Sequence, residues 1–476
     1  MFLKLAATFL LALYLWAAAP PDGTRIDALA ESLRKAQGAP GLAVAVITKD
    51  GVYAHGYGTR GAGQPVTTRT IFAIGSLTKS FTALAAATLV DEGKLAWDKP
   101  VREYLPWFRL YDPHASELMT IRDLLTHRSG LPRYDLLRYA VPLPREELVK
   151  RLRYLPPTAS FRERYQYENL MYNAAGYLAG VLDGSSWEEL IERRILTPLE
   201  MRDTTVRVAD TKKRADFALP HEKVGGTLRQ VEFYDYQKFG VGPNGAVNAS
   251  VDDMVRYLRF HMGDGMAGGK RVLSKRQMQE LHRQQMVVND RESYALGWTV
   301  SWPGGTKLVS HGGSITGFRA WAGIMPEKGE GVAVLMNADG NPALAARRIA
   351  RELLGWNLRE EPAAQEPRGR VRTPSRISTG PTSRAPDAYA GRYEHPAFGT
   401  CEVMQDAGNL TLQFPALTLP LRHLHYDVFV TGVDTREGIR GAGMAVQFIL
   451  DTAGEVAEMW VRVDPVAPMV TFRRKH

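Results

Sequence analysis

The sequence predicts an α+β domain followed by a small all-β domain, and three observations carry that prediction. Matching helix and strand patterns stand at both ends of residues 23–358. A stretch rich in proline and arginine then breaks every apolar pattern over residues 359–386. Beyond it, over residues 387–476, short alternating apolar runs are separated by Gly, Asp and Pro, the pattern of a barrel or curled sheet.

Taken along the chain, "MFLKLAATFLLALYLWAAAPPDG" sets one early charge, Lys4, before an apolar run from Leu5 to Trp16 and the small residues Ala17, Ala18 and Ala19. That is the pattern of a secretory signal peptide and is short for a membrane span. Pro20 directly follows the only Ala-x-Ala, so an uncleaved anchor is the alternative for residues 1–22. Both readings put the body of the protein outside the cytoplasm, secreted or periplasmic.

From Thr24 to Gln37 the apolar residues Ile26, Leu29, Ala30 and Leu33 recur at helical spacing. "GLAVAVITKDGVYAHGYG" reads as two strands around Asp50 and Gly51. Further helices are expected at Lys79 to Glu92, ended by Gly93, at Ile121 to His127, Asn169 to Leu182 and Val251 to Met262. "KLVSHGGSITGFRAWAGIMPEKGEGVAVLMNA" then reads as strands broken by glycine turns, followed by a helix from Pro342 to Leu354. The linker 359–386 holds five prolines and six arginines. Two domains joined in this way are expected to have separate cores. In the last region Leu410, Leu412, Phe414 and then Leu417, Leu419, Leu421 alternate as strands facing a core.

Hydrophobic residues at 45% and charged residues at 23% exclude disordered, collagen-like and multispan membrane classes. The net charge of +9 comes from 60 Lys+Arg against 51 Asp+Glu, scattered along the chain, and no nucleic-acid motif accompanies it. The linker arginines read as solubilising, with weak attraction to an anionic envelope surface as the alternative. The single cysteine, Cys401, excludes an internal disulfide and a cysteine-based zinc cluster.

Ser-x-x-Lys occurs twice, at Ser32 to Lys35 and at Ser76 to Lys79. The first lies on the polar side of the first helix. The second opens the apolar "FTALAAATL" helix, where spacing i, i+3 puts both side chains on one face. A desolvated lysine loses its proton more easily and becomes a base for the neighbouring hydroxyl. On this motif alone, nucleophile and helix cap stand level. Tyr167 and Asn169 form the one Tyr-x-Asn among nineteen tyrosines. A phenol there serves as a proton relay and an amide as an orienting group, or the pair is a core residue and a cap. In "VSHGGSITGF" two glycines after His311 allow close backbone approach, which an oxyanion-binding strand needs.

Ser76-Leu-Thr-Lys79, Tyr167-Glu-Asn169 and His311-Gly312-Gly313, in that order, resemble the three active-site elements of the penicillin-recognising serine hydrolases. The resemblance is to the branch of class C β-lactamases, D-amino-acid peptidases and related esterases. "TIRDLLTHRSGLP", "GPNGAVNASVDDM" and "YALGW" resemble connecting stretches of the same branch, and the likeness spans Ile26 to Leu354.

The resemblance implies a β-lactamase/transpeptidase-like domain, an antiparallel sheet flanked by helices with a helical lobe carrying Tyr167. It implies Ser76 as acylated nucleophile, Lys79 as its base, Tyr167 as relay and Asn169 as orienting amide, with the backbone N–H groups of Ser76 and Ser314 as oxyanion hole beside His311, Gly312 and Gly313. No metal or organic cofactor is implied. Relatives with β-lactamase activity usually carry Lys-Thr-Gly where this chain has His-Gly-Gly, so the permanent cation is missing and peptide, amide or ester substrates are favoured. The alternatives are a β-lactamase or carboxylesterase on the same site, or an inert envelope-binding protein. His311 is expected to titrate near about 6.5 and to bind a carboxylate better at lower pH. His127 and Arg128 are expected to shape the turn behind the cleft. His423, His425 and Asp427 are read as one solvated strand face, with a metal site as the alternative.

Overall fold

A computed structural model describes residues 21–224, 226–358, 380–432 and 443–475 of the chain. The signal or anchor segment and most of the linker therefore lie outside the described residues. Among those described, no helix is long and apolar enough to cross a membrane.

The first domain is built on a nine-stranded antiparallel sheet. The strand Gly41–Ile47 sits inside it between Val52–Gly61, its hairpin partner, and Glu330–Met336, from the far end of the domain. Beyond Glu330–Met336 come Phe318–Met325, Leu308–Ile315 and three short strands that close the sheet. Every residue of Gly41–Ile47 is buried, as an unbroken apolar run requires when both sheet faces are covered. Side chains alternate across a strand, so this one segment feeds two cores. Leu42, Val44 and Val46 pack with the helices Gly23–Gln37 and Pro342–Leu354 through Ile26, Leu33 and Ile349. Ala43, Ala45 and Ile47 face the opposite core, which holds Phe81, Leu84 and Met254.

That second core contains the helix Thr78–Asp91, buried from Thr78 through Leu89. It packs against Asn169–Asp183, which Gly184 ends in a left-handed conformation at φ 70°. The Thr120–Asp123 capping box starts the helix Ile121–Leu125. This helix stops short of the expected His127, which turns away at φ 58°.

The C-terminal domain is a closed eight-stranded barrel whose first strand, Gly391–His395, pairs with its last, Val470–Lys475. Leu410, Leu412, Phe414, Leu417, Leu419 and Leu421 all point into it, and buried Cys401 joins them. Burial pushes the Cys401 thiol up to about 12, so this sulfur is unreactive at neutral pH.

Two expectations need correction. The cores of the two domains are not separate, because the barrel docks on the segment after the helix Ile121–Leu125 and their buried apolar residues form one continuous cluster. Ala416 N donates to Ala140 O at 3.1 Å, Tyr134 N to Asp464 Oδ2 at 3.3 Å, and Arg151 Nη1 to Ala397 O at 3.0 Å. Nor do His423, His425 and Asp427 share a strand face: the register shifts between the two histidines, and Asp427 lies in the following turn. Its carboxylate instead ties Ser383 and the Tyr389 hydroxyl.

Candidate active site

Two backbone segments make the floor of the site. Gly75 takes φ 51°, which only glycine adopts without strain, and turns the chain into the short Gly75–Leu77 turn ahead of the helix Thr78–Asp91. A Cβ on Gly75 would lie 2.7 Å from Ser314 N, and a Cβ on Gly313 would lie 1.8 Å from Ile74 O and 3.3 Å from Ser76 N. Strand Leu308–Ile315 and the serine turn therefore meet at main-chain distance, which brings the amides of Ser76 and Ser314 to one wall. Neither the turn nor the helix has a side-chain cap, so the Ser76 hydroxyl is not spent on capping.

Lys79, on the first turn of that helix, is fully buried. Its Nζ donates to Ser76 Oγ at 3.1 Å, Asn169 Oδ1 at 2.8 Å and Asn244 O at 3.0 Å. The rings of Tyr167 and Tyr172 lie 4.8 and 5.3 Å from it. Loss of solvation, and then the charges of Arg138 and Arg133, bring the amine well below its ordinary value. Burial acts oppositely on the Tyr167 phenol and raises it to about 12, against the pull of the Ser76 hydroxyl and of Arg133. Of the two groups nearest Ser76, the lysine is thus the one that reaches its basic form first.

Tyr167 is backed by His127, whose ring centre lies 4.3 Å from its own. His127 Nδ1 accepts from Glu168 N at 3.0 Å, which locks the turn entering the helix Asn169–Asp183. Burial and then Lys79 hold this histidine neutral. Arg128 pairs with Asp123 on the same turn.

His311 lies on the strand beside the cleft, but its chemistry differs from the expectation. Nδ1 meets Gly312 O at 2.5 Å, so this nitrogen carries the proton, and Nε2 accepts from the Tyr294 hydroxyl at 2.9 Å. Burial, reinforced by Lys79, brings its pKa down to about 3. This departs from the expected titration near neutral pH, because burial and the nearby Lys79 amine both disfavour a second proton on the ring.

These groups open on a cleft of about 560 Å³, lined by Ser76, Tyr167, Asn169, Gly312, Ser314 and Trp321 among others. The structure thus brings together every residue singled out in the sequence for the site. It adds several that sequence reasoning missed. Arg133 and Arg138 line the cleft, and Asp135 between them accepts from Asn169 Nδ2 at 2.9 Å. "RYDLLR", an acid flanked by two arginines just after "HRSGLP", was the available signal.

A family model described as Beta-lactamase matches residues 26–355, and one described as Domain of unknown function (DUF3471) matches residues 375–473. Penicillin-binding protein 4 of Amycolatopsis lactamdurans is 30% identical, over 68% of this chain and 87% of that protein. An unguisins hydrolase of Aspergillus campestris is 27% identical, over 77% of this chain and 75% of its own length. A beta-lactamase of Pseudomonas fluorescens is 26% identical over 66% of this chain and 92% of that protein. The solved structure of the octameric penicillin-binding protein homologue from Pyrococcus abyssi superposes with a TM-score of 0.65 at 26% identity, covering 95% of this chain and all of that one.

Proposed function

Since the chain belongs to the beta-lactamase family and is a serine hydrolase, we propose that it works by acyl transfer through Ser76 on peptide, amide or ester substrates outside the cytoplasm. The observation that carries this reading is the fully buried Lys79 amine 3.1 Å from the Ser76 hydroxyl. Such an amine is neutral more readily than a solvated one, and its lone pair takes the hydroxyl proton.

In the first step Ser76 Oγ bonds to the substrate carbonyl carbon while its proton passes to Lys79. The Ser76 and Ser314 amides receive the oxyanion. Tyr167, still a phenol at neutral pH, gives its proton to the leaving amine or alkoxide and regains one from protonated Lys79. Water then attacks the Ser76 ester, and the same groups run in reverse to release the acid. The names of the relatives, among them a hydrolase and a beta-lactamase, support hydrolysis on this fold.

Neutral His311 supports amide, peptide or ester substrates over β-lactams, because no permanent cation stands at that strand position. A short-chain nitrophenyl ester, D-amino-acid amides and a chromogenic cephalosporin, compared side by side, separate the peptidase, esterase and β-lactamase readings. The extracytoplasmic location rests on the Leu5 to Trp16 segment. The nucleophile is tested by intact mass after a fluorophosphonate: one added group is expected, absent in Ser76→Ala. An adduct that persists in that variant moves the nucleophile elsewhere, and no adduct at all favours an inert binding protein.

A further inference from the structure

Asp135 is outside the set of groups that the acyl-transfer reading uses, yet it is tied to that set at several points. Its Oδ1 accepts from Asn169 Nδ2 at 2.9 Å, while the other end of the same amide, Oδ1, accepts from Lys79. Its Oδ2 accepts from Arg133 Nε at 2.6 Å, and Arg138 Nε lies 2.9 Å from Oδ1. An asparagine amide has a donor end and an acceptor end. With a carboxylate on one side and an ammonium or amine on the other, only one orientation of Asn169 satisfies both.

The backbone carrying Asp135 is held from both domains. Tyr134 sits at φ 43°, a conformation that costs a bulky residue energy and persists only where its surroundings fix it. Here the surroundings are Asp464 and Ala416 of the barrel, which bind Tyr134 N and Ala140 O, together with Pro156, which accepts from the Tyr134 hydroxyl. Tyr234 adds a hydrogen bond to Arg138 O at 2.6 Å. The barrel thus anchors both ends of the segment from which Asp135 reaches the site.

We infer that Asp135 is a positioning residue for catalysis: its carboxylate sets the Asn169 amide that holds Lys79, and its charge opposes those of Arg133 and Arg138 at the same amine. This rests on the Ser76 and Lys79 reading above. The groups facing Lys79 are Ser76, Asn169, Tyr167, Tyr172, His127, His311, Glu168, Arg133, Arg138 and Asp135. The tyrosines and histidines are neutral at neutral pH, and burial pushes the Glu168 carboxyl well above the usual carboxylate range. Asp135 stays ionised, because Arg138 and Arg133 outweigh its burial and hold its pKa at about 2. Removing its negative charge makes the Lys79 proton easier to lose, and removing Arg133 makes it harder.

The test reads the rate at which a fluorophosphonate labels the full-length protein as a function of pH, which needs no knowledge of the natural substrate. Asp135→Asn is expected to slow labelling by about 10- to 100-fold and to move its acid limb to lower pH. Arg133→Gln, at a side chain 49% exposed, is expected to move the limb the other way. Asp135→Glu keeps the charge but displaces the carboxylate, so its limb stays near that of the parent while its rate falls. Limbs that coincide in Asp135→Asn and the parent, or Asp135→Glu labelled at the parent rate, overturn the inference. Should Asp135→Asn not fold by circular dichroism, the other two variants decide: an unmoved limb in Arg133→Gln is equally fatal. Labelling that survives Ser76→Ala instead removes the underlying reading, and that control is run on the parent site first.

Discussion

Gly313→Ala would place a methyl 1.8 Å from Ile74 O, 2.8 Å from Ile74 C and 3.3 Å from Ser76 N. These are main-chain atoms of the turn that carries the nucleophile, so no side-chain rotation relieves the overlap. The strand or the turn must retreat by at least about 1.2 Å to reach the 3.0 Å that real Cβ contacts allow. Oxyanion donors act at about 2.7–3.1 Å, and loss of one lowers kcat by about 10²–10³. A folded Gly313→Ala protein should therefore lose that much kcat on a short-chain nitrophenyl ester, with overpacking lowering stability by about 1–3 kcal/mol in thermal melts. Gly312→Ala is the control. Its methyl would meet Ala320 O and Trp321 Cδ1 only at 3.9 Å, an ordinary contact, so its thermal stability should stay within about 0.5 kcal/mol of the parent even though the methyl enters the cleft. Equal losses of stability in the two variants, or a folded Gly313→Ala protein with parental kcat, would refute the claim that strand and serine turn meet in the oxyanion wall.

Two further outcomes concern ionisation. The acid limb of kcat/KM should have its midpoint well below the ordinary lysine value of 10.5, because protonated Lys79 cannot accept the Ser76 proton and activity is lost as pH falls through its lowered pKa. Tyr167, raised to about 12, should produce no basic limb below that pH, and a fall in rate near pH 8 to 10 would contradict its place here. For His311, the kcat/KM ratio of a carboxylate-bearing substrate to its neutral analogue should be flat from about pH 5 to 8, since this ring is held at about 3. A ratio that climbs as the pH is lowered would show that the ring gains its second proton inside the site.

Sequence by itself determined the α+β class, the strand pair around Asp50 and Gly51, the alternation of Leu410 to Leu421, and the three motifs of the site, whereas the split of Gly41–Ile47 between two cores came from the fold. The elements follow from short-range regularities, namely apolar period and glycine at turns, whereas the three motifs were legible as a site only through their order and its resemblance to the penicillin-recognising serine hydrolases. What each group does with its proton was not in those regularities. Whether Ser76 caps a helix or accepts from Lys79 depended on how the Gly75 turn meets Ser314, a residue of a distant strand. His311 was legible as a site residue but not as a neutral one, because Tyr294 and the buried Lys79 reach it only in the folded chain. Asp135 and its link through Asn169 needed three segments and a barrel edge to converge. Motif spacing is fixed by the covalent chain, whereas desolvation and charge pairing depend on neighbours that only tertiary packing supplies, and in this site those neighbours decide which group carries the proton.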